Sequence, residues 1–150
     1  MKRAWFTIVV GAMAASIGTA APAKAGAALS QGDAAAVDTI GQNVFSKLKA
    51  GRTAEAVGAF FGATSLASGK QAELRMLTDQ IDSTIAIYGP ISACELVEEN
   101  TRGSMATHRL YLCSHTKYVT RWRMLFVKTT GGWMGAFLNF DDKVQNSLSE

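Results

Sequence analysis

Cys94 and Cys113 are the only cysteines of the chain, and they bracket the stretch CELVEENTRGSMATHRLYLC. Three chemistries could use them. A redox pair favours a close spacing such as C-x-x-C, which is absent. A zinc site needs three or four ligands, and His108 and His115 do not obviously converge with both sulfurs. In an oxidising compartment such a pair most often forms a disulfide. A structural bond is therefore expected, with free buried thiols as the alternative.

Other reactive side chains form weaker patterns. His108 and His115 could move protons, but no Ser/His/Asp order accompanies them, and a lone strand histidine is more often a satisfied or surface residue. Asp79 and Asp82 stand one helical turn apart, on a flank expected to be solvated. Arg121-Trp122-Arg123 lies in a segment, 109–128, with five Lys/Arg and no acid. It reads as a solvated basic face, or as an anion-binding strip with Trp122 as a stacking surface. Asp141-Asp142 reads as a strand stop with weak cation contacts, and Gly131-Gly132 as a hairpin turn. No catalytic, cofactor-binding or metal-binding set is expected.

The oxidising compartment is itself an inference from the N-terminus, MKRAWFTIVVGAMAASIGTAAPAKA. A basic start, a short apolar core and a small-x-small end at Ala23-Lys24-Ala25 predict a cleavable signal peptide over 1–25. The core is too short for a comfortable membrane span of about 20 apolar residues. Periplasmic or secreted localisation follows, with a single domain over 26–150 that does not span the membrane. The formal charge of +3 belongs to the precursor. Loss of Lys2, Arg3 and Lys24 leaves 12 basic against 12 acidic residues, which removes the support for nucleic-acid binding.

These side chains must be positioned by helices and then by strands. Ser30 can cap a helix carrying the stripe Val37, Ile40, Val44, Leu48. Thr53 begins a short helix holding Ala56, Val57, Phe60 and Phe61. A third helix opens near Ser68, with Leu74, Leu77, Ile81, Ile85 and Tyr88 on one side, and Gly89-Pro90 ends it. Strand patterns follow over 91–99, 106–115, 118–128 and 133–140, with hairpin-length connections. The fold class is α+β: three N-terminal helices on one face of a four-stranded antiparallel meander.

A first hairpin in which paired numbers sum to 207 sets Cys94 opposite Cys113, Leu96 opposite Tyr111 and Glu98 opposite Arg109. On the other face it sets Val97 opposite Leu110 and Glu99 opposite His108. Apolar then meets apolar and acid meets base. The apolar run Met124-Leu125-Phe126-Val127 implies that both faces of its strand are covered.

The segments FSKLKAGRTAEAVGAFF (45–61), IYGPISACELVEE (87–99) and WRMLFVKTTGGWMGAFLNF (122–140) resemble small exported members of the nuclear transport factor two-like superfamily, the SnoaL-like, cystatin-like cone domains. The similarity spans roughly residues 33–140. It implies a curved sheet wrapped around the helices into a cone with an internal pocket. Phe60, Tyr88 and Trp133, near the sheet–helix junction, are then the expected pocket lining. Such domains include isomerases, dehydratases, binding domains and dimerisation modules. The expected function is non-enzymatic binding of a small apolar ligand or an envelope protein, with a cone-pocket isomerase or hydratase, or a purely structural dimer, as alternatives. A homodimer through the open sheet face is expected, because the helices can bury only one face.

Overall fold

The computed structural model describes residues 28–62 and 68–148. The expected signal peptide and its cut lie outside the described residues. Among the described residues three α-helices precede four strands: α1 (Gln31–Lys49), α2 (Thr53–Phe61), α3 (Gln71–Tyr88), β1 (Ile91–Arg102), β2 (Ala106–His115), β3 (Val119–Thr129) and β4 (Gly132–Asp141). A 3-10 helix, Val144–Leu148, follows and lies against β3.

Local chemistry places the boundaries. The Ser30 hydroxyl oxygen accepts the Asp33 N–H at 3.2 Å, capping α1. Gly51 takes a positive φ of 69° where α1 turns into α2. Gly89, at φ 88°, closes α3 by donating its N–H to the Ile85 carbonyl. Only glycine adopts such angles without strain.

The sheet is an antiparallel meander in the order β1-β2-β3-β4. Alternation along the strands sends Tyr111, Cys113, Trp122, Met124, Phe126 and Leu138 into one core with Val37, Val44, Phe45 and Leu48 of α1. Ala56, Val57 and Phe60 of α2 and Ile81 of α3 complete it. Trp122 and Phe126 are wholly buried, and Phe60 nearly so. Each such side chain contributes roughly 1.5–3 kcal/mol by leaving water.

The first hairpin follows the expected register only in part. Cys94 pairs with Cys113 and Leu96 with Tyr111, and then a bulge at Val97 shifts the ladder. Beyond it Glu98 pairs with Leu110, Glu99 with Arg109 and Asn100 with His108. The expected Glu98–Arg109, Val97–Leu110 and Glu99–His108 pairs are thus each off by one. The extra residue turns Glu99 to the helix side, where its carboxylate accepts a 2.6 Å hydrogen bond from the buried Arg109 side chain. β1 also runs three residues further than expected, because 100–102 pair with 106–108.

A second difference concerns Arg121. It was expected on a solvated face, yet it is only 3 % exposed. Its guanidinium donates to both carboxylate oxygens of Asp141, at 3.2 and 3.1 Å, and Arg123 also reaches Asp141. Asp141 is pulled to a lower pKa, since these bonds and the Lys143 N–H outweigh its burial. The run 124–127 divides as alternation requires: Met124 and Phe126 are buried, Leu125 and Val127 half-buried.

One close approach controls how α2 meets the sheet. A Cβ on Gly135 would fall 2.5 Å from two ring carbons of Phe60. That ring is fixed in turn by edge-on contacts with Phe61 and Phe126, at centroid separations of 4.9 and 5.4 Å. Gly135→Ala should therefore destabilise the fold by about 1–3 kcal/mol through overpacking. Urea unfolding checks this, and an unchanged midpoint would show that Phe60 can move aside freely.

Candidate functional site

The disulfide borders a cavity between α1 and β1. Cys94 and Cys113 are bonded, with an S–S distance of 2.06 Å and a separation of 19 residues. Closing a loop of that length contributes roughly 3 kcal/mol through the unfolded chain. Cys113 is fully buried, whereas Cys94 is half-buried and borders the space between α1 and β1.

That space is a cavity of about 460 Å³. Asp38, Gln42, Phe45, Ser46 and Lys49 of α1 form one wall, and Cys94, Leu96 and Tyr111 of the sheet form the other. Behind it lies Arg109, 3 % exposed. Its guanidinium donates to Asp38 at 2.5 Å, to Glu99 at 2.6 Å and to the Tyr111 hydroxyl oxygen at 3.3 Å. Burial works against the charge of Arg109, but these bonds prevail and raise its pKa further. Burial also raises the Tyr111 pKa, against the opposing pull of Arg109. Tyr111 therefore keeps its proton and remains a hydrogen-bond donor.

A second cavity, about 360 Å³, lies between α3 and β4 and differs in chemistry. Phe61, Leu74, Leu77, Met134, Phe137 and Leu138 line it, with Val127 and Ala136, while Lys70 and Glu73 contribute its charged groups. Phe137 is 51 % exposed. The bulge between Leu125 and Phe126, where Ala136 falls out of register, opens β4 at this point.

The three expected pocket residues are not brought together. Phe60 is inside the core against Phe126. Trp133 donates its indole N–H to Asp33 at 2.7 Å. Tyr88 stacks on Tyr118 at 5.2 Å and donates its hydroxyl to Asp142 at 2.7 Å. Other residues of the same three elements, Phe61, Leu77 and Leu138, line the apolar cavity instead. Which face of β4 opens depends on a bulge that alternation does not reveal.

The remaining reactive side chains are structurally engaged. His115 bonds through Nδ1 to the Gly89 carbonyl at 2.7 Å and through Nε2 to the Thr120 hydroxyl at 2.9 Å. Since the carbonyl can only accept, Nδ1 donates to it, while Nε2 shares a hydrogen bond with the Thr120 hydroxyl. The Thr120 oxygen accepts in turn from the Trp122 indole N–H at 2.8 Å. This buried chain ties the end of α3 to the sheet. Asp82 accepts from the Thr53 hydroxyl, joining α3 to α2. Among the described residues no group of three His, Cys, Asp or Glu could hold a metal ion, and no helix is long and apolar enough to cross a membrane.

Compared with protein-family models, curated proteins and solved structures, the chain matches none.

Asp33 gathers the most contacts of any carboxylate near the N-terminus of α1. It accepts from Lys128 at 2.6 Å, from Trp133 and from Ser30. Those bonds, Lys128 first, lower its pKa to about 2. A carboxylate with a depressed folded pKa stabilises the fold fully above the ordinary range near 4, and that contribution disappears as pH falls toward 2. Asp33→Asn should therefore lower stability at neutral pH and flatten the acid-unfolding curve between about pH 4 and 2. Circular dichroism across that range is the measurement, and parallel acid limbs for variant and parent would contradict it.

Proposed function

We propose that this chain is an exported binding domain that takes a small apolar ligand in the cavity between α3 and β4. The observation that carries the reading is the composition of that cavity: Phe61, Leu74, Leu77, Met134, Phe137 and Leu138 in one concave surface. Binding is favoured over proton transfer because the acid–base groups of the other cavity are tied to one another, with Asp38 bonded to Arg109 and Tyr111 held protonated. Export is supported by the leader-like N-terminus and agrees with the disulfide. A neutral apolar fluorophore such as N-phenylnaphthylamine should bind saturably at one site. Leu77→Gln places a polar amide in the lining and should weaken binding roughly tenfold. Equal affinity for parent and variant would remove the cavity from consideration.

A second reading, pairing of two copies through the sheet, rests on Phe137. It pairs with Leu125 in the ladder, on the face of β4 opposite Leu138, where it forms the outer rim of the apolar cavity with half of its surface in solvent. The 3-10 helix Val144–Leu148, lying against β3, is the intramolecular rival for covering that region. Sedimentation equilibrium at micromolar concentration should give twice the monomer mass for the parent and a shift toward monomer for Phe137→Ser. A clean monomer for the parent would leave the tail as the cover.

A further inference from the structure

We infer that the cavity between α1 and β1 is a second, independent site, built for a short peptide with free termini. Its polar wall comes from one face of α1. Asp38, Gln42, Phe45, Ser46 and Lys49 recur at helical spacing and all border the cavity. The ends of that wall carry opposite charge. Asp38 and Lys49 are 11 positions apart, which at about 1.5 Å per residue is roughly 16 Å. An extended chain rises about 3.3 Å per residue, so four or five residues reach from one charge to the other.

The groups between the two ends suit a peptide backbone. Gln42 and Ser46 each donate and accept, and the protonated Tyr111 hydroxyl has its hydrogen to donate, since its oxygen already accepts from Arg109. The opposite wall, Leu96 and the Cys94 edge of the disulfide, is apolar and suits small side chains. Leu96 is 40 % exposed. β1 is also the terminal strand of the sheet, so its outer backbone edge has no neighbouring strand among the described residues.

Arg109 determines the polarity. It is one buried cation facing two carboxylates, Asp38 and Glu99, so the Asp38 end of the site carries a net negative charge. The peptide ammonium belongs there, and the carboxylate belongs beside Lys49. Asp38 is also held in position, because Arg109 binds one of its oxygens and leaves a half-exposed carboxylate already oriented.

Tetra-alanine, its N-acetylated form, its C-amidated form and the doubly blocked form test the assignment in NMR titrations of the full mature chain with the disulfide intact. Free tetra-alanine should shift amides of 38–49, 94–96 and 111. Each block should weaken binding about three- to fivefold, as for a solvent-accessible ion pair, and both together about tenfold or more. Lys49→Gln, an exposed substitution that touches no buried pair, should remove the penalty of C-amidation and leave that of N-acetylation. Equal affinity of free and doubly blocked peptides would overturn the proposal. So would an absence of shifts at millimolar peptide, or shifts with a neutral oligosaccharide such as maltotetraose and none with the peptide. Leu77→Gln should leave peptide binding unchanged, which separates failure of this site from failure of the apolar one.

Discussion

A single guanidinium buried between α1 and the sheet sets the geometry of half the molecule. Moving an arginine side chain out of water costs several kcal/mol unless its hydrogen bonds are replaced. Arg109 is replaced on three sides, by Asp38 of α1, by Glu99 of β1 and by Tyr111 of its own strand. Each partner comes at a structural cost. Glu99 reaches the inner face only because β1 carries an extra residue at Val97. Tyr111 reaches Arg109 only where α1 has no side chain in the way, and a Cβ on Gly41 would stand 2.9 Å from the Tyr111 oxygen. Register, helix approach and cavity wall thus follow from satisfying one charge.

The centre of the core is filled rather than hollow. Trp122 stacks on Phe140 at 4.8 Å and meets the edge of Phe45 at 5.9 Å, while Phe45 meets Tyr111 at 4.9 Å. Aromatic side chains of this size occupy the space an internal pocket would need. Open space is displaced to the margins, where a helix ends short of a strand. On one side α1 leaves the inner face of β1 uncovered, and on the other α3 and β4 diverge at a bulge. The two cavities differ because their helices present different faces, polar from α1 and apolar from α3.

Much of this was legible in the sequence, for identifiable reasons. Helical stripes and the change to strand alternation after Pro90 are dominated by local periodicity, so element order and the α+β class could be read directly. The Cys94–Cys113 pair was legible because register and chemistry agreed over Cys94 to Leu96. The register beyond Leu96 was not, because Glu98 and Glu99 satisfy Arg109 equally well on paper. The bulge at Val97 is what brings Glu99 in place of Glu98 to the face of Arg109, where Asp38, 71 residues upstream, also reaches it. The same limit applies to Arg121. Alternation put it opposite Trp122 correctly, but its burial depends on Asp141 across the ladder.

Bulges explain both the misread register and the location of the candidate sites. A regular strand buries every second side chain and leaves no concavity on a flat face. An inserted residue bends the strand and turns neighbouring side chains, so space opens beside it. Val97 does this next to Leu96, at the mouth of the polar cavity. Ala136 does it between Gly135 and Phe137, at the wall of the apolar one. Gly135 adds a second effect, since its missing side chain lets the Phe60 ring sit directly on the β4 backbone. α2 is thereby held close to the sheet, and the neighbouring Phe61 becomes part of the cavity wall. The irregular positions beside Leu96 in β1 and Phe137 in β4, more than the regular ones, are where the fold opens its cavities.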